Sequence, residues 1–375
     1  MFNLDKRVAL GKQLRQSGEI MREFILRNVE AHPHDIVGVT AEKFACSRQA
    51  VHEHIKRLVA QGAVEHGGPR AKPTYKLAQL ESRQWNYALG PGLSESDIWE
   101  RDILPDLQAL PKNVLGIWSY ALTEMVNNAI DHSGGKNLAI KLERTAVRTT
   151  LLVFDDGVGI FRKIQTELDL VDERLAILEL SKGKLTTDPV NHTGQGIFFS
   201  SRMVDEFAIL SGGRHFDHER GKERDWLIER EQPKAGTMVH MVLSNHTSRS
   251  TKKVFDEFSS KDGDYRFNKT VVPVSLAKIG PAELVSRSQA KRLMTRVELF
   301  EVVMLDFKGV ETIGQAFADE IFRVYARAHP KIELHAIHAN RQVSEMIARA
   351  RAEKMGLIEG AMTATVEAPS GKPPS

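Results

Sequence analysis

In residues 1–80 the apolar side chains first recur at helical spacing and then alternate. Ile20, Phe24, Ile25 and Val29 fit one helical face, and Ala31-His-Pro33-His-Asp35 breaks it. Thr40 opens a short helix to Ala45. Ser47 caps a longer one that runs to about Gln61, where Gly62 ends it. Val64–His66 and Thr74–Leu77 then read as strands around a Gly- and Pro-rich turn. Residues 81–112 have no sustained period and read as a connector, punctuated by Pro91, Pro105 and Pro111, with a short helix from Asp97 to Leu107.

From residue 113 the pattern strengthens. Leu122, Met125, Val126 and Ala129 make the buried face of a helix, Thr149–Phe154 is a buried strand, and Ile197–Val204 is an apolar helix. Between Ile160 and His192 lies a long insertion with an amphipathic helix at Asp172–Leu180 and a polar loop beyond it. Lys182 and Lys184 in that loop read as exposed lysines rather than as phosphate ligands. Residues 212–226 read as a hairpin turn, and 246–266 as a second linker. Beyond it, strands at Lys269–Ser275, Val302–Phe307 and Ile332–His338 alternate with helices at Ala282–Val297, Gln315–Ala328 and Arg341–Lys354, which implies an α/β layer. The tail from 361 to 375 reads as disordered. The expected fold class is multidomain α+β.

Composition narrows this picture only a little. A chain of 375 residues allows two or three domains, and its 41% apolar content is ordinary for a globular protein. A net charge of +3 carries no whole-chain argument for nucleic acid. The single cysteine, Cys46, excludes an internal disulfide and fits a cytoplasmic location. The first residues are charged where a secretory leader needs an apolar core, and no apolar run is long enough to span a bilayer, so no membrane association is expected.

The candidate chemistry lies between residues 124 and 237. Glu124, Asn128 and Asp131 are four and three apart and share a helical face, away from the apolar one. Asp155 ends a strand, where its carboxylate can accept from an exocyclic amine. Gly157 and Gly159, before Ile160, allow a tight turn and close approach of backbone to a ligand. Thr193-Gly194-Gln195-Gly196-Ile197 opens a helix whose free amides suit an anion.

With Gly236-Thr237-Met-Val239 these motifs, over residues 113–245, resemble the Bergerat-fold (GHKL) ATPases, which include gyrase, histidine kinases and mismatch-repair ATPases. The run Asn128-Ala-Ile-Asp-His132 looks most like the anti-sigma-factor kinase branch. The resemblance implies an ATP site in which Asn128 coordinates Mg²⁺ and Asp155 binds the adenine amine, with Thr237 nearby. It also implies that the amides around Gly194 and Gly196 hold phosphate and that Glu124 orients or deprotonates the attacking water or hydroxyl.

Residues 1–80 resemble a winged helix-turn-helix. On the helix from Ser47, Val51, Ile55 and Leu58 face the core, so Gln49, His52, Glu53 and Lys56 face outward. By this reading Gln49 meets a base edge of double-stranded DNA, Arg48 at the helix start meets base edges or phosphates, Lys56 and Arg57 meet phosphate, and Arg70 and Lys72 sit at the wing tip. Glu53 on the same face is a local objection. Residues 267–360, through Met304-Leu-Asp306 and Gly309-Val-Glu-Thr312-Ile-Gly314, resemble a STAS-like domain that would take a protein partner. Where phosphorylated relatives carry a helix-capping Ser, this chain has Gly314-Gln315-Ala316. The whole reads as a winged helix, a Bergerat-fold α/β sandwich and a small STAS-like domain. The expected function is an ATP-binding transcription regulator, with a homodimer admitted. The alternatives are an anti-sigma-type serine/threonine kinase and a nucleotide-sensing scaffold without turnover.

Overall fold

The computed structural model of the chain describes residues 17–69, 72–185, 194–219, 226–229, 235–259, 267–278 and 283–364. It is a multidomain α+β structure with three separate sheets.

The N-terminal body has its own core. It comprises α1 (17–28), α2 (Ile36–Lys43), α3 (Arg48–Ala60) and a hairpin of β1 (Val64–Gly67) and β2 (Thr74–Leu77). The inward stripe of α1 is Met21, Ile25 and Val29, at successive spacings of four. Ile20, expected on that face, is 52% exposed. Helix α2 starts before Thr40, so Thr40 is a buried helical residue and not a cap. Ser47 does cap α3, accepting a hydrogen bond from the Ala50 amide, and Gly62 adopts φ 68° just past its end.

The central body is built on a seven-stranded antiparallel sheet. Its strands are β3 (Glu81–Ala88), β4 (Asn137–Arg144), β5 (Arg148–Asp155), β6 (Glu206–Ser211), β7 (Arg214–Glu219), β8 (Trp226–Glu229) and β9 (Thr237–Ser244). They lie in the order β3-β4-β5-β9-β6-β7-β8. Residues 81–112 are therefore not a connector. Strand β3 pairs with β4 along its whole length, Glu81 opposite Arg144 and Ala88 opposite Asn137. The helical run that follows, α4 (Glu95–Asp97), a π turn (Ile98–Ile103) and α5 (Leu104–Leu107), buries Ile98, Ile103 and Leu107 completely. The 212–226 stretch is likewise more than a turn, since β7 occupies 214–219 and pairs with β6.

One face of this sheet is covered by α6 (Lys112–His132), α7 (Ile160–Glu167), α8 (Arg174–Lys182), α9 (Gly196–Met203) and α10 (Thr251–Glu257). Ile117, Trp118 and Leu122 of α6 share a core with Leu138, Ile140 and Leu151 of the sheet. Each such fully buried side chain contributes about 1.5–3 kcal/mol. Helix α10 corrects the linker expected at 246–266: Val254 and Phe258 are buried, and Phe255 packs edge-on against Phe199.

The C-terminal body is a three-stranded parallel sheet of β10 (Lys269–Pro273), β11 (Val302–Asp306) and β12 (Glu333–Ile337). Its helices are α11 (Arg287–Met294), α12 (Gln315–Asp319), α13 (Ala326–Ala328) and α14 (Arg341–Ala364). Helix α11 is shorter than the expected 282–297. Leu284 is instead bridged to Ile313, and Ser286 with Gln289 forms a capping box that starts the helix. Helix α14 runs past Lys354 to Ala364, so residues 361–364, expected in the tail, continue the helix; the rest of the tail lies outside the described residues. Central and C-terminal bodies share one continuous core, joined through the rings of Phe198, Phe267 and Phe300. Among the described residues no helix is long and apolar enough to cross a membrane.

Candidate functional site

Three elements separated in sequence converge at one end of the central sheet. Strand β5 ends at Asp155, and its register with β9 sets Asp155 opposite Thr237. Asp155 is buried and accepts a hydrogen bond from the Gly157 amide at 2.9 Å. Burial pushes its carboxyl above the usual carboxylate range, opposed by hydrogen bonds from Gly157 and Thr237. The Thr237 hydroxyl accepts from the Ile160 amide at 3.0 Å, which ties β9 to the start of α7. Neighbouring Asp156 turns away. Its carboxylate accepts from the amides of Asn137 and Lys136 and from the Asn137 side chain, which holds it below the usual range.

Helix α6 forms the opposite wall with Glu124 and Asn128, as expected, and with Asn127 and His132. Half-buried Tyr120, one turn earlier, is pushed well up by burial, by the charge of Glu124 and by a hydrogen bond to that carboxylate. The first turn of α9 closes the third side. At Gly196 a Cβ would lie 2.0 Å from the Glu124 carboxylate oxygen, so glycine is what lets the acid lie against this helix start. Gly194 adopts φ 65°, and its carbonyl accepts from the Leu185 amide at 3.1 Å. The cleft between these walls has a volume of about 390 Å³.

Of the residues read from the sequence, the cavity gathers Glu124, Asn128, Asp155 and Thr237. It also gathers Gly159, Ile160, Gly194, Gln195, Gly196 and Ile197. Gly157 is absent from the lining. It packs the loop onto the end of α6, where a Cβ would lie 2.2 Å from the Ser133 carbonyl oxygen. Asp131 is exposed and also lies off the cavity. Helical angle does not separate it, since at about 100° per residue it falls between Glu124 and Asn127, which both line the cavity. Thr193 lies outside the described residues.

Lys163 and Glu167 line the cavity and were not singled out; their only signal is helical spacing with Ile160 and Ile164. Lys163 donates to the His132 carbonyl at 2.9 Å. Lys182, expected in an exposed loop, is 0% exposed and paired with Glu179 at 2.6 Å. Lys184 donates to the Leu299 carbonyl at 2.7 Å. Neither lysine lines the cavity; their ammonium groups are held instead by the Thr295 and Leu299 carbonyls.

Among the described residues no group of His, Cys, Asp or Glu is arranged to hold a metal unaided. Glu124 and Asn128 present oxygens from one wall, which suits a hard cation that keeps waters and takes further oxygens from a bound phosphate.

A second candidate surface is the outward face of α3. Arg48, Gln49, Glu53, Lys56 and Arg57 are exposed, and His52 is half-buried. Val51, Ile55 and Leu58 are buried beneath them. Glu53 is paired with Lys56 at 2.7 Å, so the acid is neutralised on its own helix. Lys72 is exposed in the turn between β1 and β2; Arg70 lies outside the described residues.

Residues 289–344 match a STAS-like domain of unknown function (DUF4325). No curated protein matches the chain. In this STAS-like domain the start of α12 is sterically closed. The Gly314 amide donates to the Leu284 carbonyl at 2.8 Å, and a Cβ at Gly314 would lie 2.8 Å from the Val285 Cα. A capping serine does not fit there without moving that segment, which gives the glycine a physical reason.

Proposed function

We propose that the cavity is a Mg²⁺–ATP site of the Bergerat type, and that it regulates a DNA-binding winged helix at the N-terminus. The observation that carries this reading is the cavity itself. A buried carboxylate with Thr237 beside it lies at one end, and an acid and an amide on α6 face a glycine-opened helix start at the other. Asp155 would accept from the adenine amine, and amides near Gly194 and Gly196 would hold phosphate. Asn128 would hold Mg²⁺, with Glu124 beside it. Bound there, the ion would neutralise phosphate charge and orient the γ-phosphoryl group.

Asp155→Asn tests the adenine assignment. An amide donor then faces an amine donor, and losing one such bond in a closed site costs roughly 1–3 kcal/mol. Calorimetry should show ATP affinity lower by about tenfold or more. Any loss of stability in the variant should come from the hydrogen bonds to Gly157 and Thr237, not from the charge. The folded pKa of Asp155 is raised, so its charge works against the fold as pH rises through that value, and Asn removes the charge. Unchanged ATP affinity in a folded variant would refute the adenine role.

The N-terminal body is joined to the site through β5. Val147, just before that strand, packs on the N-terminal core, Arg148 pairs with Glu30 at 2.7 Å, and the strand ends at Asp155. Coupling between nucleotide and DNA through such a contact would be about 1–3 kcal/mol. Gln49 is the exposed side chain suited to bidentate pairing with adenine, so Gln49→Ala should cost about 1–3 kcal/mol on the preferred duplex and relax preference at one base pair. Lys72→Ala should weaken all sequences alike and reduce the salt slope by about one. Binding of the full chain to selected duplexes across a salt series measures both. Absence of binding at low salt would assign this face to a protein partner.

A further inference from the structure

The wall of the cavity that faces the C-terminal body is held from outside the central body. Leu180 and Leu185 line the cavity, and between them the chain leaves α8 and turns at Gly183, φ 81°. Several polar groups of this strap, residues 180–185, are tied to the STAS-like domain or to residues leading into it. The Lys182 ammonium donates to the Thr295 carbonyl at 2.7 Å, and the Lys182 carbonyl accepts from the Thr270 hydroxyl at 2.6 Å. Lys184 lies over the Phe300 ring at 4.6 Å while donating to the Leu299 carbonyl. Arg296 reaches back to bind both Glu179, at 3.1 Å, and the Lys184 carbonyl. Its own backbone is left-handed at φ 62°, uncommon for a residue other than glycine, and this aims the guanidinium at the strap.

Glu179 and Lys182 are both buried, at 3% and 0% exposure. Charges removed from water in this way are tolerated only while each is paired and hydrogen-bonded. Separating the two bodies would strip Lys182 of its carbonyl acceptors and Glu179 of Arg296.

Resting on the nucleotide reading above, we infer that Arg296, with Thr295 and Thr270, is a positioning residue for the ATP cavity. The STAS-like domain holds the Leu180–Leu185 wall in place, so docking of that domain and nucleotide binding stabilise one another. The coupling is reciprocal, as any linkage between two sites must be. The STAS-like domain would in this way be a built-in regulator of the cavity, and a partner that loosened it would lower nucleotide affinity without touching the nucleotide.

The test uses the full chain. Arg296→Asn keeps a residue that tolerates left-handed backbone but removes the guanidinium. It should lower Mg²⁺–ATP affinity by about 5–150-fold, the usual range of coupling between sites. Arg296→Lys, which keeps the charge and one donor group, should fall between the variant and wild type. In the wild-type chain, adding Mg²⁺–ATP should slow amide hydrogen exchange at residues 292–300, none of which lines the cavity. That second measurement decides the matter even if Arg296→Asn fails to fold. Wild-type binding with exchange changes confined to the cavity lining, or with unchanged affinity in folded Arg296→Asn, would overturn the coupling and leave the site standing. No binding of Mg²⁺–ATP by the wild-type chain would overturn the nucleotide reading and the coupling with it.

Discussion

Glu124→Ala is expected to leave Mg²⁺–ATP bound while lowering phosphate release, or phosphate transfer, by about 10²–10⁴-fold, the usual contribution of a general base. The carboxylate lies against the first turn of α9, and Gly196 leaves it room to do so. Asn128 is one helical turn further along and lines the same cavity; by the proposed reading it would hold the ion, and Glu124 would orient or deprotonate the attacking water or hydroxyl. Ala also deprives the Tyr120 hydroxyl of its acceptor. Glu124→Gln is therefore the companion variant: it preserves that acceptor and should be equally inactive. Steady-state release of phosphate from labelled ATP, beside a binding titration, separates the roles. A Gln variant that turns over ATP like wild type would remove Glu124 from the chemistry. If wild type itself neither releases nor transfers phosphate, the site senses nucleotide without turnover. Label recovered on protein would instead favour the kinase alternative.

Gly236→Ala should damage both the fold and the site. Gly236 adopts φ 88°, and a Cβ there would lie 1.9 Å from the Asp155 carbonyl oxygen. Left-handed backbone alone costs about 1–3 kcal/mol for a residue other than glycine. The clash adds to that, because backbone cannot swing away as a side-chain tip can. The β5 and β9 ends must part, and with them Asp155 and Thr237, which are opposite one another in the sheet. Melting should fall by about 2–4 °C for each kcal/mol lost, and ATP affinity should drop by about tenfold or more. Gly92→Ala is the control. Gly92 is also left-handed at φ 92°, but nothing lies within 4 Å of a Cβ there. If the two variants melted alike and bound ATP alike, the Asp155 turn would not be constrained as described.

What the sequence alone determined is local. The Ser47 cap, the Gly62 stop, the buried Val51–Ile55–Leu58 stripe and the strand ending in Asp155 depend on neighbours within a few residues, and all are present. The α/β alternation after residue 267 was equally legible, because each strand and helix carries its own period. Gly159 was readable as a turn residue because glycine adopts its positive φ freely.

What only the tertiary structure decided depends on partners far away in the chain. The 81–88 stretch looked like a connector because its alternation is poor; it is an edge strand because β4, on the far side of α6 in the chain, supplies its hydrogen bonds. Helix α10 looked like a linker because its polar residues outnumber its apolar ones, yet Val254 finds the core beside α6 and α9. Asp131 shares a helical face with Glu124 by spacing, yet it is exposed and lies off the cavity. Lys182 read as an exposed loop lysine because lysine pays heavily to leave water. It is buried because Glu179 lies one turn before it and carbonyls from about 110 residues further on meet its ammonium. Periodicity and capping are written in adjacent residues; pairing register and the burial of charge are settled only when distant segments meet.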